Sequence, residues 1–215
     1  MTIRFSCLSV TFAALVAIAG WSSSFAPARA QSNQDDVLSR ESVWRDPEIP
    51  ALGNPDGTIT IVEYFDYQCP ICKLVHPHLS RAVREDGKVR LVSRGWPIFG
   101  GPSIYAARMA LAAKYQGKFP QAHEALFTAK VPLSESVIRE LLSKAGVDSA
   151  KAVNDLEAHR EAIDATLARN ELQASAFGFL GTPAFIVGTF RVTSGLDAAG
   201  FKKVIADARA AQAKR

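Results

Sequence analysis

The chain has 215 residues, 48% of them hydrophobic and 21% charged, with a formal net charge of +4. This is an ordinary globular composition, and residues 31–215 suffice for one sizeable core. The Lys and Arg residues are scattered, without a dense basic run or aromatic interleaving, and Arg4 and Arg29 belong to an N-terminal leader, so no nucleic-acid partner is expected.

Residues 1–30 read as a cleaved secretory signal. Arg4 stands near the start, Leu8 to Ala19 is apolar, and Ala28-Arg29-Ala30 fits the small-x-small pattern of a cleavage site. That apolar core is too short for a membrane span, and no later segment reaches the roughly 20 apolar residues a spanning helix needs, so no membrane insertion is expected. Cleavage removes Cys7 and leaves Cys69 and Cys72 as the only thiols. An exported chain whose only cysteines form Cys-x-x-Cys reads as a handler of disulfides, not as a protein stapled by them.

Residues 31–58 form an N-terminal extension. It begins polar, allows a short helix over about 35–44, and continues through Pro47, Pro50, Gly53, Pro55 and Gly57 as a turn-rich lead into the first main strand. From Ile61 to Tyr67 the run is β-branched and aromatic, which suits a buried strand. It stops at Cys69-Pro70-Ile71-Cys72, where Pro70 can open a helix because the first turn needs no backbone donor there. Cys69 then sits at a helix N-terminus, where free N–H groups and the helix dipole favour a thiolate below the ordinary thiol pKa of about 8.5. Cys72 can close a disulfide with Cys69 or resolve a mixed disulfide formed there. The bland alternatives are a structural disulfide or half of a zinc site, but a structural zinc site usually takes four ligands and the chain has no second cysteine pair.

The helix continues to about Glu85 with a kink expected at Pro77, Gly87 stops it, and Lys88 to Arg94 reads as a second strand. After a loop over 96–102, the pattern is helical to Phe177, divided by Ser134 and Asp148 as N-caps and by Gly117, Gly146 and Gly178 as stops. Ala184–Val187 and Phe190–Thr193 read as a hairpin across Gly188-Thr189, and Asp197 caps a closing helix to about Ala210. The order gives an α/β fold with a mixed sheet.

The stretch Glu63-Tyr64-Phe65-Asp66-Tyr67-Gln68-Cys69-Pro70-Ile71-Cys72-Lys73, with Gly181-Thr182-Pro183-Ala184-Phe185, resembles the DsbA family of thioredoxin-fold thiol:disulfide oxidoreductases, from about residue 58 onward. The resemblance implies an α/β, thioredoxin-like domain over 59–215 with a mixed central sheet and a helical subdomain inserted at about 102–177. It implies that Cys69 is the attacking thiolate, that Cys72 is its less exposed disulfide partner, and that Thr182 and a cis Pro183 bind substrate beside Pro70 and Ile71. It also makes Glu63 a buried acid that influences proton transfer at Cys72. Ile71 stands where the best-known oxidant of the family has His and can donate neither a hydrogen bond nor a charge, so the Cys69 pKa should be less depressed than in that relative.

The function implied is periplasmic disulfide donation to unfolded or partly folded exported proteins, without a cofactor, with a membrane redox partner resetting the cysteines. An isomerase or reductase is the alternative, because Thr before the proline is common in isomerase-like relatives; the extension leaves no room for their separate dimerisation domain. A module holding Cu(I) or zinc on the two thiolates is a third reading, weakened by the presence of only two methionines, Met1 and Met109. His76, His78, His123 and His159 read as structural or surface residues, with His76 alone near enough to tune the site.

Overall fold

The computed structural model describes residues 37–214, so the expected leader and the first residues of the extension lie outside the described residues. Five strands form one mixed sheet in the order β1-β3-β2-β4-β5. They are β1 (Ala51–Gly53), β2 (Ile59–Phe65), β3 (Val89–Gly95), β4 (Ala184–Val187) and β5 (Phe190–Val192). β2 runs parallel to β3 and antiparallel to β4, while β1 and β5 close the edges as antiparallel strands. The chain is a thioredoxin-like α/β fold.

β2 is buried along its whole length, which its Ile, Val, Tyr and Phe residues allow because helices cover both faces of the sheet. Alternation divides the core. Ile59 and Ile61 pack with Leu91, Phe185 and Val187 beneath α2 (Pro70–Asp86) and α8 (Ala198–Ala213). Val62 and Tyr64 pack on the opposite face with Val43, Ile49, Val92 and Ala174, beneath α1 (Arg40–Trp44) and α7 (Arg160–Ala176).

The helical block between β3 and β4 comprises α3 (Gly101–Ala112), a 3-10 turn (Ala113–Gln116), α4 (Phe119–Phe127), α5 (Glu135–Lys144), α6 (Ser149–Ala158) and α7. Ser134, Asp148 and Asp197 cap α5, α6 and α8 by accepting amides three residues on. The core of this block is continuous with Phe65, Tyr67, Cys69 and Cys72, so the cysteine pair sits at the junction of sheet and helical subdomain. α2 runs as one helix from Pro70 to Asp86 through Pro77, where the proline removes the helical bond to the Lys73 carbonyl. Among the described residues no helix is long and apolar enough to cross a membrane.

The lead before β2 is more tightly built in than its turn-rich sequence suggests. β1 pairs with β3, and the β3 residue Arg94, fully buried, reaches under α1. Its guanidinium donates to the Val43 and Ser42 carbonyls, to Asn170 Oδ1 at 2.8 Å and to Asp46 Oδ2 at 3.3 Å, and Arg169 donates to the same Asp46 oxygen at 2.8 Å. Burial acts to raise the Asp46 pKa, but the bonds from Arg169 and the Glu48 amide, with the two guanidinium charges, hold it below the ordinary carboxylate value. A buried charge without its partner is costly. Asp46→Ala is therefore expected to destabilise the fold by about 3–5 kcal/mol in denaturant unfolding, while Asp207→Ala, which removes the exposed pair with Lys203, changes it by less than about 1 kcal/mol.

Candidate active site

β2 delivers Cys69 to the N-terminus of α2. Its backbone is extended (φ −65°, ψ 117°), so it is the N-cap, and Pro70 opens the helix behind it. Cys69 Sγ accepts the Cys72 N–H at 3.2 Å and, as a thiol, donates to the Thr182 carbonyl at 3.3 Å. Both cysteines are reduced and buried, at 2% and 0% exposure, so Cys69 differs from Cys72 less in exposure than in its electrostatic surroundings. Pro70 and Ile71 are exposed, with Ile71 at 50%.

The surroundings split the two thiols. The hydrogen bond from the Cys72 thiol, opposed by burial and reinforced by Thr182 and the amides of Cys72 and Ile71, lowers the Cys69 pKa to about 6. Burial, then the bond given to Cys69, pushes Cys72 far above the ordinary thiol range. Cys69 is thus a thiolate at neutral pH and Cys72 a thiol, the asymmetry that nucleophilic attack and later resolution require.

The Thr182–Pro183 peptide is cis, which places the Thr182 carbonyl on Cys69. The Thr182 hydroxyl is buried with no aligned hydrogen-bond partner among the described residues, and it lies beside both sulfurs, where its dipole favours the thiolate. Pro183 is buried immediately before β4.

Glu63 is fully buried on β2, paired in register with Ser93 and Phe185. Both carboxyl oxygens lack hydrogen-bond partners among the described residues. Burial, then the Cys69 charge, raises its pKa to about 8, so it carries a proton at neutral pH. The alternation of β2 could have put it on a solvated face, but helices close both faces of this strand.

Asp66 positions the site and was not singled out by its sequence pattern. It is buried, and its Oδ1 accepts the Gln68 N–H at 2.7 Å and the Ser103 hydroxyl at 2.6 Å, while Oδ2 accepts the N–H groups of Ile98 and Phe99 at 2.7 and 3.0 Å. Its carbonyl accepts the Cys69 N–H. One carboxylate thus fixes the turn before Cys69 against the 96–103 loop. The signal was present: Asp two residues before an amide it can accept is an Asx turn. Ile98 and Phe99, held there, are exposed, as is Leu180 two residues before Thr182, so apolar side chains rim the redox pair.

The buried proton on Glu63 has a stability consequence with a definite sign. Its folded-state pKa lies above the unfolded value, so it holds a proton that the unfolded chain has lost between about pH 4.5 and 8, and stability falls as pH rises through that window. Glu63→Gln removes this fall. The reduced variant is expected to match the parent near pH 4.5 and to exceed it by about 2 kcal/mol or more at pH 8 in denaturant unfolding.

A family model for the DSBA-like thioredoxin domain matches residues 60–213. Among curated proteins, the thiol:disulfide interchange protein DsbA of Bordetella parapertussis is 28% identical over 214 residues, covering 92% of this chain and 95% of that one. The Na(+)/H(+) antiporter NhaA 1 of Mycolicibacterium gilvum is 29% identical over 164 residues, but this match spans 74% of the chain and only 27% of the antiporter. Among solved structures, a thioredoxin-like oxidoreductase from Silicibacter pomeroyi DSS-3 is 37% identical with a TM-score of 0.76, covering 80% of this chain and 98% of that one. With the reactive pair at the mouth of a thioredoxin-like sheet, the chain belongs to the DSBA-like thioredoxin domain family of thiol:disulfide oxidoreductases.

Proposed function

We propose that this chain is an exported disulfide donor, acting in the periplasm on unfolded or partly folded proteins through the Cys69–Cys72 pair. The observation that carries this reading is the opposed ionisation of two sulfurs three residues apart. In the donor direction, a client thiolate attacks Cys69 Sγ, the Cys69–Cys72 bond breaks, and Cys72 leaves with the electron pair and takes a proton. A second client thiolate then attacks the client sulfur of the mixed disulfide, and Cys69 departs as a thiolate. The client loses two electrons and the pair gains them. A departing group that is comfortable as an anion at neutral pH speeds this last step.

The remaining assignments follow the same reading. Residues 1–30 are removed after Ala30, residues 31–58 form the extension, and residues 59–215 form the redox domain with its helical insertion. Thr182 and Pro183 bind an extended client segment by backbone pairing, and the apolar rim of Ile71, Ile98, Phe99 and Leu180 suits the apolar side chains an unfolded client exposes. Glu63 supplies the proton Cys72 needs. A membrane redox partner reoxidises the pair.

The second reading, isomerase or reductase, is favoured by Thr182. The third is a carrier holding Cu(I) on the two thiolates, or zinc, whose further donors would come from a partner, since among the described residues no group of three His, Cys, Asp or Glu side chains is placed to hold a metal.

The reduction potential of the pair, measured by equilibration with glutathione and thiol trapping, tests the direction. A donor is expected to lie on the oxidising side, between about −120 and −180 mV. A potential near about −270 mV would instead identify a reductant.

A further inference from the structure

Away from the redox pair, a groove of about 380 Å³ opens between α1, the end of α7 and the β4–β5 turn. Its floor is Val43 and Ile186, both buried, and the half-buried rings of Trp44 and Phe177 also line it. A smaller groove continues it past Thr189 to Ala208 and Gln212 of α8. The turn between β4 and β5 fits closely on α8: Gly188 has φ +57°, and a Cβ there would stand 3.1 Å from the Ala208 Cβ. Neither the cysteines nor the apolar residues that rim them line either groove. β4 has four residues, so about 13 Å of strand separates Pro183 from the Gly188 turn.

The charged residues of the groove are two arginines, and no acid is among its lining residues. Arg40 lays its guanidinium over the Trp44 ring, 4.3 Å from the centroid, and Arg191 donates through Nη1 to the Phe177 carbonyl. Both are exposed, and these contacts orient each guanidinium while leaving donors of its fork free. Arginines elsewhere pair with carboxylates, as Arg108 does with Asp164 and Arg209 with Asp86, whereas neither Arg40 nor Arg191 does so among the described residues. An apolar floor with two oriented, unpaired cations at its mouth is complementary to an amphipathic anion.

We propose that this groove binds a free aromatic monocarboxylate, its ring against Trp44 and Phe177 and its carboxylate on Arg40 and Arg191. The volume is that of a small-molecule site, at the lower end of the usual range. The planar fork of a guanidinium matches a carboxylate, and a fork already held in place loses less freedom when it binds one. An aromatic body suits the two rings of the lining, and it has few rotatable bonds to order, whereas a flexible aliphatic chain would lose more entropy. No covalent or redox step is involved. The inference does not rest on the disulfide-exchange reading, because none of the lining residues takes part in that chemistry.

The test titrates the purified protein with naphthoate and follows the Trp44 indole N–H in proton–nitrogen correlation spectra, with naphthamide as the uncharged probe of the same shape. Naphthoate is expected to shift that signal saturably with a Kd on the order of 0.1–1 mM. Naphthamide on the parent, and naphthoate on the Arg40→Gln/Arg191→Gln variant, are each expected to bind about tenfold more weakly, since each removes the charge-assisted hydrogen bonds. The comparison of the two probes on the parent stands even if the variant does not fold. The Cys69→Ser/Cys72→Ser variant is expected to bind naphthoate as the parent does. No Trp44 shift at about 10 mM naphthoate, or a naphthamide affinity within threefold of that for naphthoate, would overturn the proposal. Loss of binding in the folded cysteine variant would do the same, by placing the ligand on the redox pair.

Discussion

The contact on which the site depends is the Cys72 N–H meeting Cys69 Sγ at the first turn of α2. A helix N-terminus leaves amides without intrahelical partners, and a sulfur placed as the cap takes one of them while sitting in the positive end of the dipole. Everything else in the neighbourhood supports that placement. β2 brings the chain to the turn, Asp66 locks the turn by four hydrogen bonds to its carboxylate, Pro70 starts the helix, and the cis Thr182–Pro183 bond sets a carbonyl on the far side of the sulfur.

The sheet separates two kinds of buried polar chemistry. On the face covered by α1 and α7, Arg94, Asp46, Arg169, Asn170 and the carbonyls of α1 satisfy one another, which fastens the N-terminal segment to the domain. On the face toward α2, Glu63, Ser93 and Thr182 carry buried oxygens without partners among the described residues. Unsatisfied polar atoms are expensive in a core, and their concentration beneath a reactive pair is where function outweighs stability. Glu63 shows the cost: a neutral isostere would serve the fold better at neutral pH, because the carboxyl is buried without partners and ionises only at a penalty.

Much of this was legible in the sequence because the information was local. N-caps at Ser134, Asp148 and Asp197 act through the next turn, Gly87 ends α2 in a left-handed conformation that other residues avoid, and the β2 run with its Cys-x-x-Cys announces strand, turn and helix in order. What was not legible arose from packing between distant segments. β1 is three residues paired to β3 and has no pattern of its own. Arg94 looks like a strand residue facing solvent until α1 covers it. His123 lies 47 positions beyond His76 on a different helix, and nothing in either local window brings the two rings together.

The asymmetry between the two sulfurs is read directly by a pH series of iodoacetamide alkylation on the reduced, folded protein, with the modified cysteine located by mass spectrometry. Cys69 is expected to alkylate with a midpoint near pH 6 while Cys72 stays unmodified up to about pH 9. A Cys69 midpoint at the ordinary thiol value of about 8.5, or equal modification of both cysteines, would contradict it.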